Sequence, residues 1–176
     1  MERIPTLLAY FITFSTYGSR VAGDEKGSVD RRANSYGEPT VATSHRLAGA
    51  QRETMRWPPF RMADHHRVTV AAAIAALCRK HEWRLLALNV RTNHVHLVVE
   101  PLGGTPEAPM TAVKATATGA LRRAGLVDPV RKIWARHGST RYLFEEAAVP
   151  SAVVYVVDRQ GANLDGAWLV APEFDW

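Results

Sequence analysis

Cysteine is nearly missing from this sequence: Cys78 is the one example in 176 residues, so no internal disulfide can form. Cys78 lies in the apolar stretch 71–78 and reads as a small core residue rather than a nucleophile. Long apolar runs are also lacking, and none approaches the ~20 consecutive apolar residues of a membrane span. The start, Met1-Glu2-Arg3-Ile4-Pro5, has no basic-then-apolar layout of a signal peptide, so the cytoplasm is the expected location. Acidic residues are outnumbered, 17 Asp and Glu against 22 Lys and Arg, for a formal net charge of +5. That balance favours a polyanionic partner, because Lys and Arg gain free energy by displacing counterions condensed on phosphates. The 47% apolar content is enough for a buried core and excludes global disorder.

Residues 7–17 (LLAYFITFSTY) are rich in aromatic and β-branched side chains and stop at Gly18, which predicts a first strand and a turn. From 23 to about 60 the composition turns to Gly, Ser, Asp, Arg and Pro with no sustained period. This stretch is expected to be a long insertion of loop character within one domain spanning 1–176. Residues 68–82 are alanine-rich with helical spacing, 83–90 read as a buried strand, and 94–100 form the second arm of a hairpin around Arg91-Thr92-Asn93. A Gly/Pro linker at 101–109 leads to a helix over 110–124. A short strand is expected at 141–144, and a helix over 147–159 has Pro150 in its first turn and Gly161 beyond its end. The order predicts an α+β, ferredoxin-like (RRM-like) antiparallel sheet with helices on one face, extended by a last helix.

The most specific feature is His94-Val95-His96. Alternate strand residues share a face, so both imidazoles project together while Val95, Leu97 and Val99 form an apolar row beneath. Two neutral imidazoles at this spacing can hold one divalent ion and leave positions open for a phosphate oxygen. On spacing alone, a pair of surface histidines without a ligand is the commoner arrangement.

The stretch 93–99 (NHVHLVV) resembles the histidine, bulky apolar, histidine (HUH) motif of single-tyrosine transposases, which include the REP-associated tyrosine transposases. Thr16-Tyr17-Gly18-Ser19-Arg20 resembles the end of their first strand, 134–143 the segment before their tyrosine helix, and 155–161 that helix. The resemblance implies that His94 and His96 are ligands of a divalent ion, Mg2+ or Mn2+, and that Tyr155 is the nucleophile. It implies cleavage and rejoining of single-stranded or hairpin DNA through a 5′-phosphotyrosine link, and commonly a homodimer. The family places a polar ligand one turn after the tyrosine, and Gln160 takes that role by resemblance. Position 159 is Arg, however, and on an ideal helix Gln160 lies ~140° round from Tyr155, whereas Asp158 lies ~60° away on the other side. Either the helix loosens before Gly161 or Asp158 takes the role.

Basic residues supply an expected DNA surface: Lys114, Arg122 and Arg123 on the second of the predicted helices, and Arg131, Lys132, Arg136 and Arg141 around Trp134, His137 and Tyr142. Arginine beside aromatic groups suits phosphate contact with base stacking. The competing readings are a catalytically inactive, host-adopted relative that only binds nucleic acid, an RNA-binding ferredoxin-like module, and a hydrolase that uses water in place of tyrosine.

Overall fold

The structure, a computed structural model, describes residues 6–19, 45–100, 103 and 105–174. Most of the expected insertion, with its Arg31 and Arg32, lies outside the described residues. Among the described residues five strands form one sheet in the order β4-β1-β3-β2-β5, where β1 is Ala9–Thr16, β2 Leu85–Val90, β3 His94–Val99, β4 Trp134–Leu143 and β5 Trp168–Val170. Every pairing is antiparallel. The helices are α1 (His45–Glu53), α2 (Asp64–Lys80), α3 (Glu107–Arg123) and α4 (Ala148–Val157). Without α1, α4 and β5 this is the βαββαβ plan, so the ferredoxin-like expectation holds. Among the described residues no helix is long and apolar enough to cross a membrane.

The period of two divides each strand between two faces. On one, Ile12, Phe14, Leu88, Val90, Val95 and Leu97 pack beneath α2 and α3, which contribute Val70, Ile74, Val113, Ala117 and Leu121. Cys78 belongs to this cluster, and burial pushes its thiol up to about 11, as befits a core residue. On the other face a smaller cluster joins Leu86 and Val98 to Ala152, Val153 and Val156 of α4. The last helix therefore caps the face opposite α2 and α3.

Three elements differ from the sequence expectation. The 141–144 strand is part of the ten-residue β4, whose mostly exposed, polar sequence carries no alternation, because β4 is an edge strand defined by its bonds to β1. Residues 45–53 within the expected loop are helical, and β5 is three residues long, too short for a periodic signal. Its register, Ala87↔Val170 to Asn89↔Trp168, is fixed by pairing with β2.

Candidate active site

The register of the sheet lines up Thr13, His96 and Asn89 across three neighbouring strands, Thr13↔His96 and Asn89↔His96. Partners in register share a face, so this polar row lies on the α4 side. Each member has a partner that fixes its pose. Thr13 Oγ1 sits 2.7 Å from His96 Nδ1, and Asn89 Nδ2 donates to Val156 O at 2.9 Å and to Asn163 Oδ1 at 2.8 Å. Asn163 Nδ2 in turn donates to Val157 O at 3.0 Å. Two asparagines thus take up carbonyls at the C-terminal end of α4, where helical partners run out, and tie that end to β2.

Tyr155 follows from this docking. Ala152, Val153 and Val156 form the buried stripe of α4, and Tyr155 stands at its margin, 42% exposed. Its ring meets His96 edge-on with centroids 5.5 Å apart and Phe11 at 5.8 Å, while Phe11 stacks on His96 at 5.8 Å. His94 and His96 are themselves 4.6 Å apart, ring to ring.

Gln160 is brought in by the end of the helix. Regular α4 stops at Val157, residues 158–160 form a turn, and Gly161 follows with φ +77°, a left-handed conformation that suits glycine. The ~140° separation on an ideal helix therefore does not apply. Gln160 Nε2 donates back to Tyr155 O at 3.2 Å, and its Oε1 faces His94 Nε2 at 3.5 Å. Asp158 is exposed on the same turn.

The poses of these groups test whether they fit a divalent ion. His94 Nδ1 lies 2.7 Å from Asn93 Oδ1, an acceptor, so when the ring is neutral Nδ1–H donates and the lone pair is on Nε2. That lone pair then confronts Gln160 Oε1, another acceptor, at a separation long for a hydrogen bond. Two acceptors turned toward each other suit a cation held by both. His96 repeats the arrangement, with Thr13 able to accept from Nδ1, as metal-binding histidines are usually oriented through their other ring nitrogen. The residues fit. The donors that come together are two imidazoles and an amide oxygen, and among the described residues no group of three or more His, Cys, Asp or Glu could hold a metal. Imidazole donors favour Mn2+ over Mg2+.

Of the predicted DNA-binding residues, only Arg141 comes close to Tyr155; both line one groove. Lys114, on α3, donates from Nζ to Ala135 O at 3.1 Å and His137 O at 3.2 Å and lies over the Phe14 ring, and burial holds its pKa below the usual lysine range. Arg122 and Arg123 are exposed at the end of the same helix, on the other side of the sheet from Tyr155. Arg131 donates to Pro58 O at 3.0 Å and covers the Trp57 and Phe60 rings. Lys132 lies over Tyr17, and Arg136 is exposed on β4. Thr13, Phe11, Asn89 and Arg159 went unnoticed in the sequence, since their place depends on strand register and the docking of α4. Asn93, next to His94, carried the one local signal.

Neither protein-family models nor curated proteins match the sequence. Solved structures similar to this chain include two transposases. One is a REP-associated tyrosine transposase bound to a REP hairpin, at TM-score 0.46 and 13% identity over 89% of this chain and 68% of that one. The other is a candidate transposase from Deinococcus radiodurans R1, at TM-score 0.45 and 12% identity over 84% of this chain and 90% of that one.

Proposed function

We propose that this chain is a single-tyrosine endonuclease of the transposase type, which cuts and rejoins single-stranded or hairpin DNA. Tyr155 is the nucleophile, and His94, His96 and Gln160 are the ligands of a divalent ion, Mn2+ or Mg2+. The observation that carries this reading is the meeting of Tyr155 with two oriented histidines and an inward-facing Gln160, from β3, α4 and the turn after it. A buried core tyrosine would not be left 42% exposed at the edge of such a cluster.

The phenol oxygen of Tyr155 forms a bond to phosphorus, the P–O3′ bond breaks, the phenolic proton passes to solvent, and the 3′ oxygen takes a proton from solvent and leaves as a hydroxyl. When bound, the ion would offset charge on the phosphate and on the departing oxygen. Thr13 and Asn93 hold the imidazoles in one tautomer and pose, and the Asn89–Asn163 pair keeps the end of α4 in register with them. Because the phosphotyrosine ester conserves the bond, a second 3′-hydroxyl can reverse the step. A homodimer belongs to the same proposal, checked by sedimentation.

The test is incubation of the protein with labelled hairpin DNA and Mn2+, followed by a denaturing gel for a covalent protein–DNA adduct. Tyr155→Phe removes one hydroxyl and almost no volume, and is expected to abolish the adduct while DNA binding persists. Tyr142→Phe is expected to retain it, since Tyr142 packs against Tyr10 on the α2 and α3 side. An adduct mapped to Tyr142 overturns the assignment. Parental cleavage by Tyr155→Phe without an adduct would establish a water nucleophile.

A further inference from the structure

The face of the sheet that carries His96 is only half covered. Helix α4 packs chiefly on β2, β3 and β5 and meets β1 through the Tyr155–Phe11 ring contact, so the half of this face over β1 and β4 is the less covered one. Between α4 and that half lies a groove of about 840 Å3 running from Tyr155 to the edge strand, within the roughly 300–1,000 Å3 of ligand-binding clefts. Its floor is Phe11 and Leu143, its helix wall includes Ser151 and Tyr155, and two arginines, Arg141 and Arg159, line it. Phe11 and Arg141 are register partners on adjacent strands, which puts the guanidinium on the same face as the ring.

Some charged groups near the sheet are already engaged. Lys114 and Arg131 point their nitrogens at backbone carbonyls, and Arg84 pairs with Glu100 and Glu173. Among the described residues neither Arg141 nor Arg159 has a hydrogen-bond or carboxylate partner. Two guanidinium groups beside an aromatic floor suit a chain that alternates phosphate and base.

Resting on the nuclease reading for the position of the scissile phosphate, we infer that this groove is the channel for the single DNA strand flanking that phosphate. Arg141 and Arg159 take backbone phosphates beside Tyr155, and Phe11 supplies a stacking surface for a base. The occupant is a single strand because the groove is walled by α4 along one side and reaches Tyr155 between that wall and β1.

The test measures binding without cleavage: fluorescence anisotropy of a labelled 20-mer of thymidylate in chelator, on a Tyr155→Phe background, across a salt series. Arg141→Gln/Arg159→Gln is expected to weaken binding by about tenfold or more at low salt and to reduce the salt slope by about 1.4, at about 0.7 per single-strand phosphate contact. Arg79→Gln/Lys80→Gln removes the same charge from the end of α2 and is expected to change affinity less than about twofold. Equal losses in both pairs would mean that net charge alone acts, and would overturn the channel. Should the arginine pair fail to fold, photocross-linking of a 5-iododeoxyuridine 20-mer to the parental protein decides: capture on Phe11 or on β4 supports the channel, and capture confined to α2 or α3 overturns it. Adduct formation is read separately. A missing adduct with groove binding intact sinks the nuclease reading alone, and an adduct with no groove dependence sinks the channel alone.

Discussion

The two faces of the sheet use polar groups in opposite ways. Beneath α2 and α3 polar atoms serve the fold: Trp134 Nε1 donates to Lys114 O and Thr118 Oγ1 at 3.0 Å, Lys114 Nζ bridges α3 to β4, and Arg67 Nε donates to Val90 O at 2.8 Å. Beneath α4 the row Thr13, His96, Asn89 is also held by hydrogen bonds, and it lies beside the 42% exposed Tyr155. On both faces donors end on the chain's own carbonyls, but on the second His94 Nε2 and Gln160 Oε1 also face each other at 3.5 Å. Polarity that completes a fold and polarity arranged for a ligand can thus be told apart by where the last acceptor points.

The sharpest way to break this contrast is to remove an imidazole. His96→Ala, or His94→Ala, is expected to lower Mn2+-dependent cleavage by on the order of 10²–10³-fold or more, with single-strand binding and the melting temperature little changed. Gel-based cleavage rates and thermal melts check it, and parental cleavage by either variant would break the site assignment. Next in size is the link between ion and DNA. The proposed donors, His94, His96 and Gln160, would bring no negative charge, so an ion's charge would be left for a phosphate to balance. Mn2+ is expected to bind about tenfold or more tighter when an oligonucleotide is present, with the reciprocal gain for DNA. Electron paramagnetic resonance titration of Tyr155→Phe measures both arms, and equal affinity with and without DNA would point to a carboxylate ligand. Smaller again is Thr13→Val, which removes one hydroxyl at near-constant volume. A loss of about 10–100-fold in Mn2+ affinity is expected, as for other groups that orient a metal-bound histidine. Unchanged affinity would show that Thr13 does not hold the His96 ring.

Local pattern revealed much of this and register the rest. The apolar alternation of β1, the hairpin around 91–93 and the helical period of α2 were legible, because each buries one side against a core. The shared face of His94 and His96 followed from strand geometry alone. Edge strand β4 was only partly visible, since a strand defined by bonds to β1 needs no apolar side chains of its own. Gln160 was ambiguous for a related reason. Ideal helix geometry was extended past Val157, where the chain has already turned, and nothing local in the sequence marks the Asn89–Asn163 clamp that fixes that end. The basic residues show the same limit: composition could count them but could not say whose nitrogens were already bonded.

Lys114 carries that limit into the smallest expected effect. By sequence it stands with Arg122 and Arg123 as a DNA contact, but its ammonium lies 3.1 and 3.2 Å from two β4 carbonyls, half-buried over Phe14. Desolvation lowers its pKa, so charge at this position is already costly, and leaving the carbonyls to reach a phosphate would forfeit two hydrogen bonds. Lys114→Met keeps the apolar stem and deletes the donor. It is expected to destabilise the fold by about 1–2 kcal/mol through the two unsatisfied carbonyls. Single-strand affinity at 25 °C should stay within about twofold and the salt slope should be unchanged, because no phosphate contact is lost. Paired denaturant melts and anisotropy titrations read the two quantities independently. A tenfold drop in affinity with a slope smaller by about 0.7, at unchanged stability, would make Lys114 a DNA contact. The two faces would then both serve the nucleic acid, and the contrast between them would fail.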